Sequence, residues 1–208
     1  MHLKKTAAAL ACLALCLAPA AAEEVKAYKL TIDGVAVQID DGESLDVKLG
    51  DGRQVRVKLE RNAFAPFSGR LFSFVHPSAM PVSKTDLASD ITQYLMASAL
   101  GTIVIVQEYE ALNPVSLNQL MLQEMTKVSV QAGAKLVQQP ATRKLSDGTE
   151  LTGLRATVKT RTDSTVYEIF SYGGDDRGVM FVTRIADENV KAEGPLIEKF
   201  WETLRLKL

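Results

Sequence analysis

Acid–base chemistry in this sequence would have to pass through very few residues. Beyond the N-terminal segment the chain holds one histidine, His76, set between the apolar run Phe72–Val75 and Pro77. One imidazole cannot build a multi-histidine zinc site or a His-Glu-x-x-His helix within one subunit. Its remaining catalytic use would be as a base acting with a serine and a carboxylate, yet no Gly-x-Ser-x-Gly elbow accompanies it. The expected role of His76 is therefore to hydrogen-bond a strand-to-loop transition.

The carboxylates offer two further patterns. Asp40-Asp41 and Asp175-Asp176 are adjacent pairs, and the second lies in a loop beside Gly173, Gly174 and Gly178, where oxygen ligands suit a weakly held hard cation. The spaced Asp/Asn positions and closing glutamate of a calcium loop are missing, so solvated turns are expected at both pairs. Glu108 and Glu110 share a face of one strand, as the two acids of a glycoside hydrolase would need, but spacing alone does not fix their separation. No Gly-x-Gly-x-x-Gly follows a strand and no phosphate loop ends in Lys-Ser/Thr, which argues against a nucleotide cofactor. Met121/Met125 and Phe200/Trp201 recur at the spacing of a helix face and are read as core. No catalytic, cofactor-binding or metal-ligating residue is assigned.

The first 22 residues set the context for this chemistry. Lys4 and Lys5 precede an apolar run from Ala7 to Ala18, and small residues at Ala20 and Ala22 come before Glu23-Glu24. This is the pattern of a secretory signal cleaved after Ala22, with an apolar run shorter than a membrane span needs. The expected location is the periplasm or the exterior. Both cysteines, Cys12 and Cys16, fall inside the segment, so the mature chain would hold no thiol, no disulfide and no Cys-bound metal. A lipid anchor at Cys16 is disfavoured by the bulk of Leu15. Cleavage also removes Lys4 and Lys5, moving the formal charge from −1 to −3. With no clustered Lys/Arg, nucleic acid is an unsuitable partner, and no second long apolar run predicts a membrane span.

Residues 23–62 alternate apolar and polar side chains. Asp33-Gly34, Asp41-Gly42 and Asp51-Gly52 separate four such runs, which predicts a four-strand β-meander, since Asp-Gly suits tight hairpin turns. Residues 63–69, with Phe64-Ala65-Pro66-Phe67, break the alternation and are read as an irregular connector. From 70 to 208 the pattern is strand (Leu71–Val75), an ambiguous stretch Ser83–Ala99, strand (Thr102–Tyr109), and a helix opened by Asn113-Pro114 and closed near Gly133. Strands around Ala134–Leu145, Leu151–Arg161, Thr165–Tyr172 and Val179–Ile185 follow, joined by hairpin-length connections. Gly194-Pro195 then opens an amphipathic helix carrying Leu196, Ile197, Phe200, Trp201 and Leu204. The sum is an α+β fold, an antiparallel sheet with helices packed on it.

The strand Phe72-Ser73-Phe74 entering His76-Pro77, the Gly101–Tyr109 strand leading to the Asn113-Pro114 helix, the Asp147-Gly148 hairpin and the closing Leu196–Trp201 helix together resemble the PsbP-like superfamily. That group includes the photosystem extrinsic subunit, Ran-binding Mog proteins and exported bacterial proteins of the DcrB type. The resemblance covers about residues 70–208. It implies an α-β-α sandwich used as a non-enzymatic accessory or protein-binding module, and it carries over no site residues because no shared active-site motif is matched. The 23–62 segment departs from the pattern.

The leading expectation is an exported, non-catalytic accessory or binding protein without cofactor, whose partner is another envelope or secreted protein. The connector aromatics Phe64 and Phe67 are the expected contact surface, since two rings in an irregular segment need not be covered. Two other classes stand beside it. A hydrolase would need a serine and a carboxylate converging on His76. A small-molecule or lipid carrier would need a cavity between sheet and helices lined by residues such as Leu120, Phe170 and Trp201, and a solid core there would remove it.

Overall fold

A computed structural model describes residues 25–208. The expected signal segment with its expected cleavage at Ala22, and Cys12 and Cys16 within it, lie outside the described residues. The chain divides into two compact units, one ending at Arg61 and one spanning Asn62–Leu208.

The first unit holds β1 (Tyr28–Ile32), β2 (Val35–Ile39), β3 (Ser44–Lys48) and β4 (Gln54–Lys58). The four strands form two separate two-stranded hairpins, β1-β2 and β3-β4, rather than the expected four-strand meander. Asp33 (φ 46) and Gly34 (φ 82) both take the left-handed conformation that a tight hairpin needs, and β1 pairs with β2 around them. Asp41-Gly42 behaves differently. The Gly42 amide donates to the Leu59 carbonyl at 2.8 Å, and the Asp40 and Asp41 carboxylates accept from the backbone of Ala27 and Arg61. With these groups spent on more distant segments, the turn leaves β2 and β3 without a shared ladder. Ile39, Val47 and Leu49 are the buried apolar residues of this unit.

The second unit begins with β5 (Phe64–Ser68), in place of the expected irregular connector, followed by β6 (Phe72–Pro77). The Ser78 amide donates to the Ala63 carbonyl and the Gly69 amide to the Phe72 carbonyl. Alternation along the antiparallel ladder then turns the backbone of Phe64, Pro66 and Ser68 away from β6. Pro66, which has no N–H to give, therefore sits where none is required. The stretch left ambiguous resolves into β7 (Ser83–Ala88) and β8 (Ile91–Ala97). Then come β9 (Ile103–Tyr109), α1 (Asn118–Gln131), β10 (Lys135–Lys144), β11 (Glu150–Lys159), β12 (Ser164–Gly173), β13 (Gly178–Ala186), α2 (Val190–Thr203) and β14 (Arg205–Leu206).

The Asn113 side chain accepts from the Val115 amide at 3.1 Å, capping a 3-10 turn over Pro114–Leu117 that feeds α1. At its other end Ala134 N donates to Ser129 O and Gly133 N to Val130 O, with Gly133 left-handed, which is a Schellman close. Helix α2 starts at Val190, ahead of the Gly194-Pro195 pair expected to open it. The 3-10 turn Asp187–Asn189 starts it, with acidic side chains placed where the helix dipole favours them, and Pro195 is tolerated in the second turn.

The strands build a seven-stranded antiparallel sheet in the order β10-β11-β12-β13-β9-β8-β7 and a three-stranded sheet β14-β6-β5. The connection from β9 through α1 carries the chain to the far edge, so α1 lies across one face of the large sheet. The connection from β13 through α2 crosses the opposite face and ends in β14, which pairs with β6. Helix α2 and the three-stranded sheet thus share that face. The result is a three-layer α+β sandwich.

Alternating side chains of the central strands feed two cores. On the α2 side lie Phe72, Phe74, Tyr94, Phe170, Phe181, Phe200 and Trp201, and on the α1 side Ile105, Leu122, Val158, Ile169, Met180 and Val182. Gly153 in β11 faces Phe170 of β12, and a Cβ there would stand 1.9 Å from the Ile169 carbonyl oxygen. Only glycine permits that approach.

Candidate functional site

His76 lies at the end of β6, 8% exposed. Its Nδ1 stands 2.9 Å from both the Pro77 and the Met80 carbonyl oxygens. A ring nitrogen facing two acceptors carries the proton, so Nδ1–H donates to the pair and fastens the turn after the strand. The ring also packs edge-on to Phe67 and Phe74. Among the described residues no hydroxyl or carboxylate hydrogen-bonds it, so the convergence a hydrolase would need is not assembled around this imidazole.

Glu108 and Glu110 do not act as a pair. Glu108, in β9, is 1% exposed; its Oε1 accepts from the Leu71 amide at 2.7 Å and its Oε2 from the Tyr94 hydroxyl at 3.0 Å. It thus ties the entry of β6 to β8 and β9 from inside the core. Burial, reinforced by this carboxyl, pushes the Tyr94 hydroxyl up to about 12. Glu110 lies beyond the strand end and pairs with Arg70 at the surface.

Asp176 pairs with Arg177 at 3.3 Å, an interaction that holds its carboxyl below the ordinary range. Among the described residues no group of three His, Cys, Asp or Glu side chains is placed to hold a metal ion. The loop is closed instead by the Gly174 amide donating to the Arg177 carbonyl.

The two expected contact aromatics part company. Phe64 faces outward from β5 and is 46% exposed, whereas Phe67 turns inward, half-buried, with its ring 5.2 Å from Tyr94 and 5.4 Å from Phe74. Phe67 belongs to the aromatic core and is corrected to a core residue. The residues proposed to line a carrier cavity do not meet either. Phe170 and Trp201 pack edge to face at 5.5 Å in the α2-side core, while Leu120 is exposed on α1 across the sheet.

Sequence reading missed one polar cluster. Glu168 of β12, 8% exposed, accepts from Arg143 of β10 at 2.9 Å and from Arg155 of β11 at 2.7 Å. The Arg143 guanidinium also lies 4.6 Å over the Trp201 ring. The signal was the recurrence of these charges on the α2-facing parity of three successive strands, which becomes legible only once the register is known.

No family model matches this sequence, and no curated protein matches it. Solved structures do. The solution structure of cyanobacterial PsbP (CyanoP) from Synechocystis sp. PCC 6803 is similar at 11% identity and a TM-score of 0.49, covering 69% of this chain and 92% of that one. A crystal structure of a Bacteroides thetaiotaomicron VPI-5482 protein aligns at 9% identity and a TM-score of 0.32, covering 66% of this chain and 45% of that one. The α+β class expected from the sequence is borne out by the strands and helices of the second unit. Among the described residues no helix is long and apolar enough to cross a membrane.

Proposed function

We propose that this chain is an exported accessory protein that binds another envelope or secreted protein and performs no catalysis of its own. The observation that carries the reading is the outward row of β5. Phe64 stands 46% exposed on a strand whose inward-facing Phe67, three residues on, is clamped in the aromatic core. An exposed aromatic held on a rigid strand loses little conformational freedom on binding, which is what an interface anchor requires. The side chains able to do chemistry are meanwhile committed to the fold: His76 to two carbonyls, Glu108 to Leu71 and Tyr94, Glu168 to two arginines. Export rests on the N-terminal pattern of basic, apolar and small residues.

The test is in-situ crosslinking of the mature protein in the periplasm, read by mass spectrometry for the wild type, Phe64→Ala and His76→Ala. The expected result is one protein partner whose crosslinks cluster around β5, are kept in His76→Ala and fall at least fivefold in Phe64→Ala. Turnover in an esterase, peptidase or glycosidase screen that His76→Ala abolishes would overturn the reading.

A further inference from the structure

A broad concavity of the second unit lies at one end of the seven-stranded sheet. There the β11–β12 hairpin, the turn before β9 and the junction from β13 into α2 come together around a groove of about 610 Å³. That volume lies within the range of small-molecule sites, roughly 300–1,000 Å³. Its floor is formed by Tyr167 and Arg184, register partners on β12 and β13 that face the α1 side.

Arg184 is the unusual member. It is half-buried, and its hydrogen bonds run from Nη1 to the Gly101 carbonyl at 2.5 Å and from Nε to the Tyr167 hydroxyl at 3.3 Å. Both acceptors are neutral. Among the described residues no carboxylate forms an ion pair with it, whereas Arg143 and Arg155, on the other face of the same sheet, share Glu168. A partly desolvated guanidinium without counter-charge is costly to hold, and three of its five N–H groups remain uncommitted. Gly101, left-handed at φ +82 in the turn that presents this carbonyl, and Tyr167, 5% exposed, fix the fork in one orientation. The arrangement is a preorganised oxyanion receptor.

The walls narrow the ligand. The Thr160, Thr162 and Ser164 hydroxyls line one side, and the Asp187 and Glu188 carboxylates with the Asn189 amide line the other, so hydrogen-bonding groups surround the guanidinium at the floor. Lys159 and Arg161 on the rim are balanced by Asp163, Asp187 and Glu188, which leaves no excess positive field to gather bare anions. A groove of this size and polarity suits hydroxyl groups around one acid group. We propose that it binds a small polyol carrying a carboxylate, a sugar acid, with the carboxylate on the Arg184 fork and the hydroxyls on the hairpin and junction walls. This site goes beyond the protein-binding reading and does not depend on it.

The experiment is a ¹⁵N–¹H correlation titration of the mature protein with glucuronate, with glucose and inorganic phosphate as parallel probes. The expected result is saturable shifts from glucuronate confined to residues 100–101, 159–165 and 184–189. Glucose and phosphate should each bind at least tenfold more weakly. Arg184→Gln should raise the glucuronate Kd at least tenfold, and the exposed Arg161→Ala no more than about threefold. If Arg184→Gln does not fold, the wild-type shift map and probe ranking decide on their own. Shifts that do not saturate or fall elsewhere overturn the site, unaltered binding by folded Arg184→Gln overturns the role of the fork, and phosphate binding as tightly as glucuronate overturns the sugar-acid assignment.

Discussion

The two faces of the seven-stranded sheet are filled differently. The α1 face is aliphatic at its centre, with Leu122, Ile169, Met180 and Val182, and keeps its polar ties at the flanks, among them Asn118–Ser171, Tyr109–Gln107 and Arg184–Tyr167. The α2 face is crowded with aromatic rings in tilted and edge-to-face contact and also buries His76, Glu108 and Glu168. The difference follows from what covers each face. A single continuous helix covers the centre of the first, where volume and apolarity suffice. Two chain stretches distant in sequence, β5-β6 and the consecutive α2-β14, must be assembled side by side over the second. Non-directional burial does not specify how such pieces abut, whereas hydrogen bonds to Leu71, Val75 and the turn after β6 do.

Truncation in each core tests this contrast with the largest effects. Phe200→Ala removes a ring 1% exposed that contacts Phe74, Phe181 and Trp201, and is expected to cost about 3–5 kcal/mol. Leu122→Ala, in the other core, is expected to cost roughly 2–4 kcal/mol. The kinds of damage should also differ. In Phe200→Ala, amides of β14 and β6 should exchange well before those of β12 and β13, because the composite layer loses its centre. Leu122→Ala should lower protection evenly. Hydrogen exchange by mass spectrometry measures both, and uniform loss in the two variants would remove the distinction.

A smaller effect probes the polar anchors of the α2 face. The Tyr94 hydroxyl is raised from 10.0 to about 12, first by burial and then by Glu108. A folded-state value above the unfolded one means that its stabilisation is complete below pH 10 and is lost as pH rises to about 12, a loss of about 2 kcal/mol. Tyr94→Phe leaves Glu108 short of one donor and should be about 1 kcal/mol less stable than the wild type at pH 8. It lacks the alkaline loss, so the two should cross at about pH 10.7, with the variant the more stable by pH 11.5. Parallel curves from pH 8 to 11.5 would show that the Tyr94–Glu108 contact is not what anchors β6.

How far the sequence discloses this arrangement depends on whether an element's signal is local. Asp33-Gly34 closes its hairpin because the left-handed turn is intrinsic to those residues, and the Asn113 cap with the Gly133 close delimits α1 for the same reason. Asp41-Gly42 has the same letters, but its hydrogen bonds go to Leu59 and Arg61, and no local rule foresees them. β7 is exposed along its whole length and so shows no apolar alternation. β5 hides behind Pro66, which the ladder tolerates only because it faces away. Glu168 meets arginines 25 and 13 residues away, a juxtaposition that exists only in the register. His76 was legible as a turn-fastening imidazole because a lone histidine beside proline has few other uses. Phe64 and Phe67 were indistinguishable until the strand assigned them to opposite sides.

That assignment sets the smallest stability effect and the sharpest functional one. Phe64 and Phe67 lie three residues apart on one strand, yet one is half exposed and the other packs against Phe72, Phe74 and Tyr94. Truncating an exposed side chain changes stability little, so Phe64→Ala is expected to shift unfolding by no more than about 0.5 kcal/mol. An interface anchor behaves in the opposite way, since its energy appears only when a partner covers it. Phe64→Ala should therefore leave the urea curve in place while partner crosslinking falls at least fivefold. A variant with altered stability and unchanged crosslinking would place Phe64 with the aromatic core of the α2 face and remove it from the surface that the proposed function requires.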